Sequence, residues 1–220
     1  MTEHLRVDVW SDVVCPFCFI GKRRLEAALA AFAHAARVDV VWRSFELDPS
    51  APREPEEGSL AERLAAKYGT SVREAEARMA HVTDSARADG IEMRLDLARP
   101  TGTFDAHRLL HLARASGVGD AMNERLFCAY FTEGARLADH AVLVALAADV
   151  GLPPDEVTAT LASEGYAREV RADEAEAAAL GIRGVPCFVL GGRFAVSGAQ
   201  PVETFERALE RAWSELVEPA

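Results

Sequence analysis

No apolar run in this sequence approaches the roughly 20 residues needed to cross a bilayer, so no membrane-spanning helix is expected. Positive charge is also in deficit. Lys and Arg number 24 against 35 Asp and Glu, leaving a formal net charge of −11. Nucleic acid and anionic membrane both select basic surfaces, so neither is expected as a partner. The opening residues Met1-Thr2-Glu3-His4-Leu5-Arg6 have neither the basic start and apolar middle of a secretory signal nor a cleavage site. A cytoplasmic location is therefore expected. Cysteine is scarce, at four residues. A reducing compartment disfavours structural disulfides, so a close pair among so few points to redox chemistry or metal binding. Internal repeats and low-complexity tracts are absent beyond a general richness in alanine.

What is present suffices for one domain with a substantial core, or for a core domain carrying a large insertion. Half of the 220 residues are hydrophobic. Val7–Ser11 alternates and is rich in strand formers, predicting a first strand. Residues 12–18 then connect to a helix over Phe19–His34, with Ile20, Leu25, Leu29 and Phe32 on one side. Val38–Phe45 is a second strand, closed by Asp48-Pro49. Together these make a βαβ unit. The proline-rich stretch Ala51–Gly58 reads as a linker.

From Ser59 to Gly181 the chain turns helical in period. Helices are predicted over Leu60–Tyr68, Val72–Ala88, Phe104–Ser116, Ala121–Thr132, His140–Asp149, Asp155–Ser163 and Tyr166–Leu180. Only Ile91–Leu95 suggests an extended piece. Strand character returns at Pro186–Leu190, Gly191-Gly192 turns the chain, and Phe194–Val196 follows as the second arm of a hairpin. An amphipathic helix over Val202–Val217 closes the chain. The expected architecture is therefore α/β: residues 1–50 and 181–220 form a βαβ…ββα domain, and residues 51–180 form a helical insertion.

The chemistry concentrates at Cys15-Pro16-Phe17-Cys18, where the first strand meets the helix. A cysteine at a helix start faces free backbone N–H groups and the positive end of the helix dipole, which favour a thiolate. That thiolate is the nucleophile of thiol–disulfide exchange, and a second cysteine one turn on is near enough to resolve the mixed disulfide. Pro16 suits the first helical turn, where its missing N–H has no helical partner anyway. Two other readings of the spacing exist: half of a zinc site completed by Cys128 and Cys187, or a purely structural pair. Pro186, opening a strand that otherwise looks central, is a second unusual feature because proline cannot donate to the ladder. A cis Val185–Pro186 bond would accommodate it and turn the backbone of Val185 toward a ligand.

Cys15–Cys18, followed by Phe19-Ile20-Gly21-Lys22-Arg23-Arg24-Leu25-Glu26, resembles the DsbA-like thioredoxin family, specifically its cytoplasmic FrnE-type subgroup. The resemblance continues through Phe45–Pro49, Phe104–Leu109, Ala129–Gly134, Gly184–Pro186 and Val196–Gln200, in the family's order. It implies a thioredoxin fold interrupted by a helical domain, with Pro186 as a cis-proline beside the cysteine pair. Phe17 stands where members commonly carry an aromatic residue, often tryptophan, and Thr101-Gly102-Thr103 where they usually have an asparagine. The function implied is thiol–disulfide oxidoreduction, with Cys15 as nucleophile, Cys18 resolving, and Pro16, Phe17, Val185 and His107 touching substrate. No metal and no cofactor beyond the redox-active pair is expected, with a low-molecular-weight thiol as a further participant. Substrates would be protein or small-molecule thiols and disulfides, and the resemblance also admits a homodimer.

Two competing functions come with this pattern. Relatives of the fold isomerise or conjugate small molecules with glutathione, typically with serine where Cys15 stands; a non-enzymatic binding module with a vestigial pair is the other. Among the remaining residues, Asp12 suits a cap or turn, and His107 and His111 share a helix face without a third ligand. Cys128 and Cys187 read as buried core residues, Cys187 on the strand after Pro186.

Overall fold

The computed structural model describes residues 4–51 and 58–217, so most of the expected linker Ala51–Gly58 lies outside the described residues. The chain divides into two compact units, residues 1–47 with 173–220, and residues 48–172.

The first unit is built on a four-stranded sheet in the order β2-β1-β3-β4. β1 (Leu5–Ser11) runs parallel to β2 (Val38–Ser44), pairing Leu5 with Val38 through Ser11 with Ser44. On its other side β1 pairs antiparallel with β3 (Cys187–Leu190), Val7 opposite Leu190 and Trp10 opposite Cys187. β3 turns through Gly191-Gly192, both at positive φ, into the antiparallel β4 (Phe194–Ser197). That backbone conformation is open to glycine without steric cost.

Strand alternation sorts the side chains. Leu5, Val7, Val9, Phe188 and Leu190 form one core with Leu25, Ala28 and Phe32 from the segment that follows β1 and with Phe205, Leu209 and Trp213 near the C-terminus. Phe188 and Phe205 meet edge to face, with ring centroids 4.7 Å apart, an arrangement worth about 0.5–1.5 kcal/mol beyond area burial. Trp10 and Cys187 point the other way, packing with Ala177, Phe45, Ile182 and Val185.

α1 (Pro16–Ala31) begins three residues before the expected Phe19 and ends three before His34. Pro16 takes the first helical position, and the Cys18 N–H already donates to the Cys15 carbonyl at 3.0 Å. The motif therefore belongs to the helix rather than to the connection before it. A 3-10 turn at Ala35–Arg37, not anticipated from the sequence, leads into β2.

The second unit holds α2 (Leu60–Tyr68), α3 (Val72–Ala88), α4 (Phe104–Ala115), α5 (Gly119–Phe131), α6 (His140–Asp149) and α7 (Pro154–Leu161). Ser59 with Glu62 and Ser71 with Glu74 make capping boxes at the starts of α2 and α3, each side chain satisfying an N–H that the helix leaves open. The Ile91–Leu95 segment is not a strand. Its backbone is held by the end of α5, Arg94 N–H donating to the Phe131 carbonyl and the Thr132 hydroxyl to that of Glu92.

α8 (Ala167–Ala179) crosses the division between the units, and α9 (Val202–Leu216) closes the first. The boundary falls at Asp173 rather than at residue 181 because that residue is bound to the sheet. Its carboxylate accepts from Ser44 N–H at 2.9 Å and from Arg43 at 2.7 Å, and its carbonyl accepts from the Trp10 indole at 2.9 Å.

Candidate active site

The site is assembled where β1 ends. The Cys15 N–H donates to the Asp12 carbonyl at 3.0 Å, closing the turn between Ser11 and α1. The Asp12 carboxylate accepts from the Leu47 N–H at 2.8 Å and ties that turn to the chain leaving β2. Asp12 is thus a turn residue, bracing the start of the helix. Cys15 is the N-cap of α1 in extended conformation, and its thiol donates to the Val185 carbonyl at 3.6 Å. The first turn of α1 contains no acidic residue. Nothing anionic in that turn offsets the positive end of the helix dipole at Cys15.

Cys18 is fully buried, one turn along the same helix. Its sulfur faces the Cys15 thiol, the Ser11 hydroxyl and the Asp12 backbone. Burial pushes its pKa well up, and the hydrogen bond and charge of Cys15 push the same way; Ser11 and the Asp12 backbone pull it down by less. All four cysteines are free thiols.

Pro186 is buried, and the Val185–Pro186 peptide bond is cis. Its ring lies against α1 at Gly21, where an added Cβ would stand 3.1 Å from Pro186 Cγ and 3.0 Å from Phe188 Cζ. The Pro186 carbonyl accepts from Gly198 N–H at 2.8 Å, which fixes the segment to the chain after β4. Cys15, Cys18, Val185 and Pro186 are thereby brought together, with Pro16 in the first turn of α1. Phe17, beside them in sequence, is 46% exposed.

The other residues singled out in the sequence have local settings of their own. His107 lies on α4 in the helical unit, 1% exposed. A histidine–carboxylate pair in that unit joins His140 to Asp105, at 2.8 Å. Asp105 also receives Arg108 at 2.7 Å. Although burial raises its pKa, hydrogen bonds from His140 and Arg108 hold the Asp105 carboxyl below its usual range. His111 stacks with Tyr166. Cys187 is buried beside Trp10, and burial raises its pKa. Cys128 is only half-buried, its thiol donating to Glu124 at 3.4 Å, which corrects its reading as a core residue. The thiol sits on the flank of α5, within reach of a polar side chain one turn earlier.

Among the described residues no group of three or more His, Cys, Asp or Glu is placed to hold a metal ion. A cavity of about 930 Å³ in the helical unit, with Leu60, Met79, Ile91 and Met93 in its lining, contains none of the expected site residues. No described helix is long and apolar enough to cross a membrane.

Ser11 and Gly21 are site residues that sequence reasoning passed over. Ser11 was legible only as the last residue of a strand. Gly21, three residues after Cys18 on a helix, offered the better signal: glycine inside a helix costs about 1 kcal/mol relative to alanine and calls for a packing reason.

The whole chain is similar to known proteins. A crystal structure of a probable DsbA oxidoreductase from Streptomyces coelicolor is 45% identical, with a TM-score of 0.93, over 99% of this chain and 93% of that one. The uncharacterized protein YwbO of Bacillus subtilis is 29% identical over 217 residues, 95% of this chain and 96% of that protein. A 2-hydroxychromene-2-carboxylate isomerase shares the fold alone, at 15% identity and a TM-score of 0.68, over 98% of this chain and 99% of that one. Residues 6–210 match the DSBA-like thioredoxin domain, and the chain belongs to that family.

Proposed function

We propose that the protein is a thiol–disulfide oxidoreductase of the FrnE-type subgroup, acting in the cytoplasm through Cys15 and Cys18. The observation that carries this reading is the pairing of a helix-capping cysteine with a second, fully buried thiol facing it one turn along. Cys15 attacks one sulfur of a substrate disulfide, forming a mixed disulfide and releasing the first substrate thiolate. Cys18 gives up its proton and attacks the Cys15 sulfur, forming the Cys15–Cys18 disulfide and releasing the second thiolate, which takes up a proton. The substrate gains two electrons and the pair loses two. A thiol, of low molecular weight or carried by a protein, returns the pair to its reduced form.

Pro186 and Val185 form the wall beside the nucleophile, and the exposed Phe17 ring is available to an apolar substrate group. The wall holds Cys15 through the Val185 carbonyl, the hydrogen bond that must break when the thiol ionises. A glutathione-dependent isomerase needs no second thiol behind the first, and the presence of Cys18 favours redox work over that reading.

Insulin reduction in the presence of a dithiol tests the proposal. Cys15→Ser is expected to abolish it, and Cys18→Ser to accumulate mixed disulfides visible by mass spectrometry. Full activity in Cys15→Ser would overturn the assignment of the nucleophile.

A further inference from the structure

The Ser11 side chain is 5% exposed, and its hydroxyl oxygen is buried with no hydrogen-bond partner among the described residues. A buried hydroxyl left so costs free energy. Ser11 is also the last residue of β1, held in register opposite Ser44, so its position is set by the sheet and not by a mobile loop. The hydroxyl lies near enough to the Cys18 thiol to favour its thiolate, as does the Asp12 backbone from the same turn. Cys18 itself is 0% exposed, so water is not at hand to solvate a charge on it. A thiol in that setting must become a thiolate to attack the mixed disulfide, and Ser11 and the Asp12 backbone are placed to favour that charge.

We infer that Ser11 is a catalytic residue of the resolving step, its hydroxyl donating a hydrogen bond to the Cys18 sulfur as that sulfur becomes a thiolate. This rests on the proposed disulfide chemistry and assigns a task within it. When the substrate disulfide is attacked by Cys15, Ser11 takes no part, because Cys15 meets Val185 and not Ser11. When Cys18 loses its proton and attacks the Cys15 sulfur, the charge that builds on Cys18 is met by Ser11 Oγ–H together with the Asp12 backbone. Once the Cys15–Cys18 bond has formed and the substrate thiolate has left, the charge is gone and the hydroxyl is released. The hydrogen bond is thus strongest on the way to resolution, which is the condition for accelerating that step. Exchange of substrate classes should not alter it, since Ser11 touches no substrate.

Reaction with 5,5′-dithiobis(2-nitrobenzoate) separates the two steps. Attack by Cys15 releases a first equivalent of thionitrobenzoate, and resolution by Cys18 releases a second. Ser11→Ala is expected to leave the first phase unchanged. The second phase should slow by about tenfold, equivalent to ~1.4 kcal/mol, because a hydrogen bond to a charged group is lost. Its pH–rate profile should also move to higher pH. Ser11→Thr, which keeps the hydroxyl, should restore both rate and profile. A second phase that is unchanged in Ser11→Ala would overturn the inference. So would equal slowing of both phases, or loss of the folded far-ultraviolet spectrum, since either would make Ser11 a structural residue. A wild-type protein that releases no second equivalent would instead refute the underlying redox reading, so the two failures are distinguishable.

Discussion

At the scale of single residues, Cys18 couples the site to the stability of the fold. Its pKa is raised above the ordinary value of 9.0, so the native state holds this proton at pH values where the unfolded chain has released it. The native state then binds more protons, and stability must fall with rising pH. The contribution is fully present below about pH 9 and is lost as pH climbs toward the raised native value. Urea titrations of the reduced protein should show this fall, and Cys18→Ala should lack that part of it.

Gly21 makes a separate case. A methyl group there enters space held by Pro186 and Phe188, so Gly21→Ala is expected to destabilise by about 1–3 kcal/mol despite the better helix propensity of alanine. A denaturation midpoint at or above that of the wild type would show that the Pro186 ring yields freely. Cys187 lies on the sheet face of Trp10, whereas its neighbour Phe188 faces the α1 core. Mild oxidation followed by peptide mass spectrometry should find no disulfide from Cys187 to Cys15 or Cys18.

At the scale of elements, the helical unit depends on Arg108. Its side chain is 1% exposed. It donates to the carbonyls of Thr160, Ser163 and Gly165 and to the Asp105 carboxylate, satisfying groups that the end of α7 leaves open. Arg108→Met removes every one of these donors and leaves Asp105 buried with His140 alone. A loss of about 3–5 kcal/mol in urea unfolding is expected, the usual cost of breaking one side of a buried charge pair. Such a clamp is illegible in sequence, because Arg108 meets its carbonyl partners more than fifty positions away.

The elements themselves were largely legible where periodicity is strong. Val72–Ala88 and His140–Asp149 are helices over the expected residues, with Ser71 and Asp139 capping them. The errors have local causes. The apolar run Ile91–Leu95 reads like a strand, yet its side chains are alternately buried in the helical unit while its backbone bonds to a helix end. α1 begins early because Pro16 initiates a helix as readily as it ends one. Of the site, the cysteine pair and Pro186 could be located from spacing and resemblance. The Ser11 contact could not, since it joins a strand end to a helix interior through a turn whose geometry the sequence does not state.

At the scale of the whole molecule, the net charge of −11 governs what the surface attracts. Double-stranded DNA should show no mobility shift with this protein at physiological salt, and a shift would reveal a local basic face that the total conceals. The second boundary between the two compact units falls at Asp173, a residue held by hydrogen bonds to Ser44, Arg43 and Trp10.

The sheet order carries a consequence for biosynthesis. β1 pairs with β2 on one side and with β3 on the other. As the chain leaves the ribosome, β1, α1 and β2 emerge early, and the continuous helical unit of residues 48–172 can form next. β1 must wait with one edge open until Cys187–Leu190 is made. During that interval Cys15 lacks the Val185 carbonyl to which its thiol donates in the finished fold, and α1 lacks the Pro186 ring that packs at Gly21. The nascent chain therefore carries Cys15 and Cys18 before the strand that supplies the hydrogen-bond partner of Cys15 has been made.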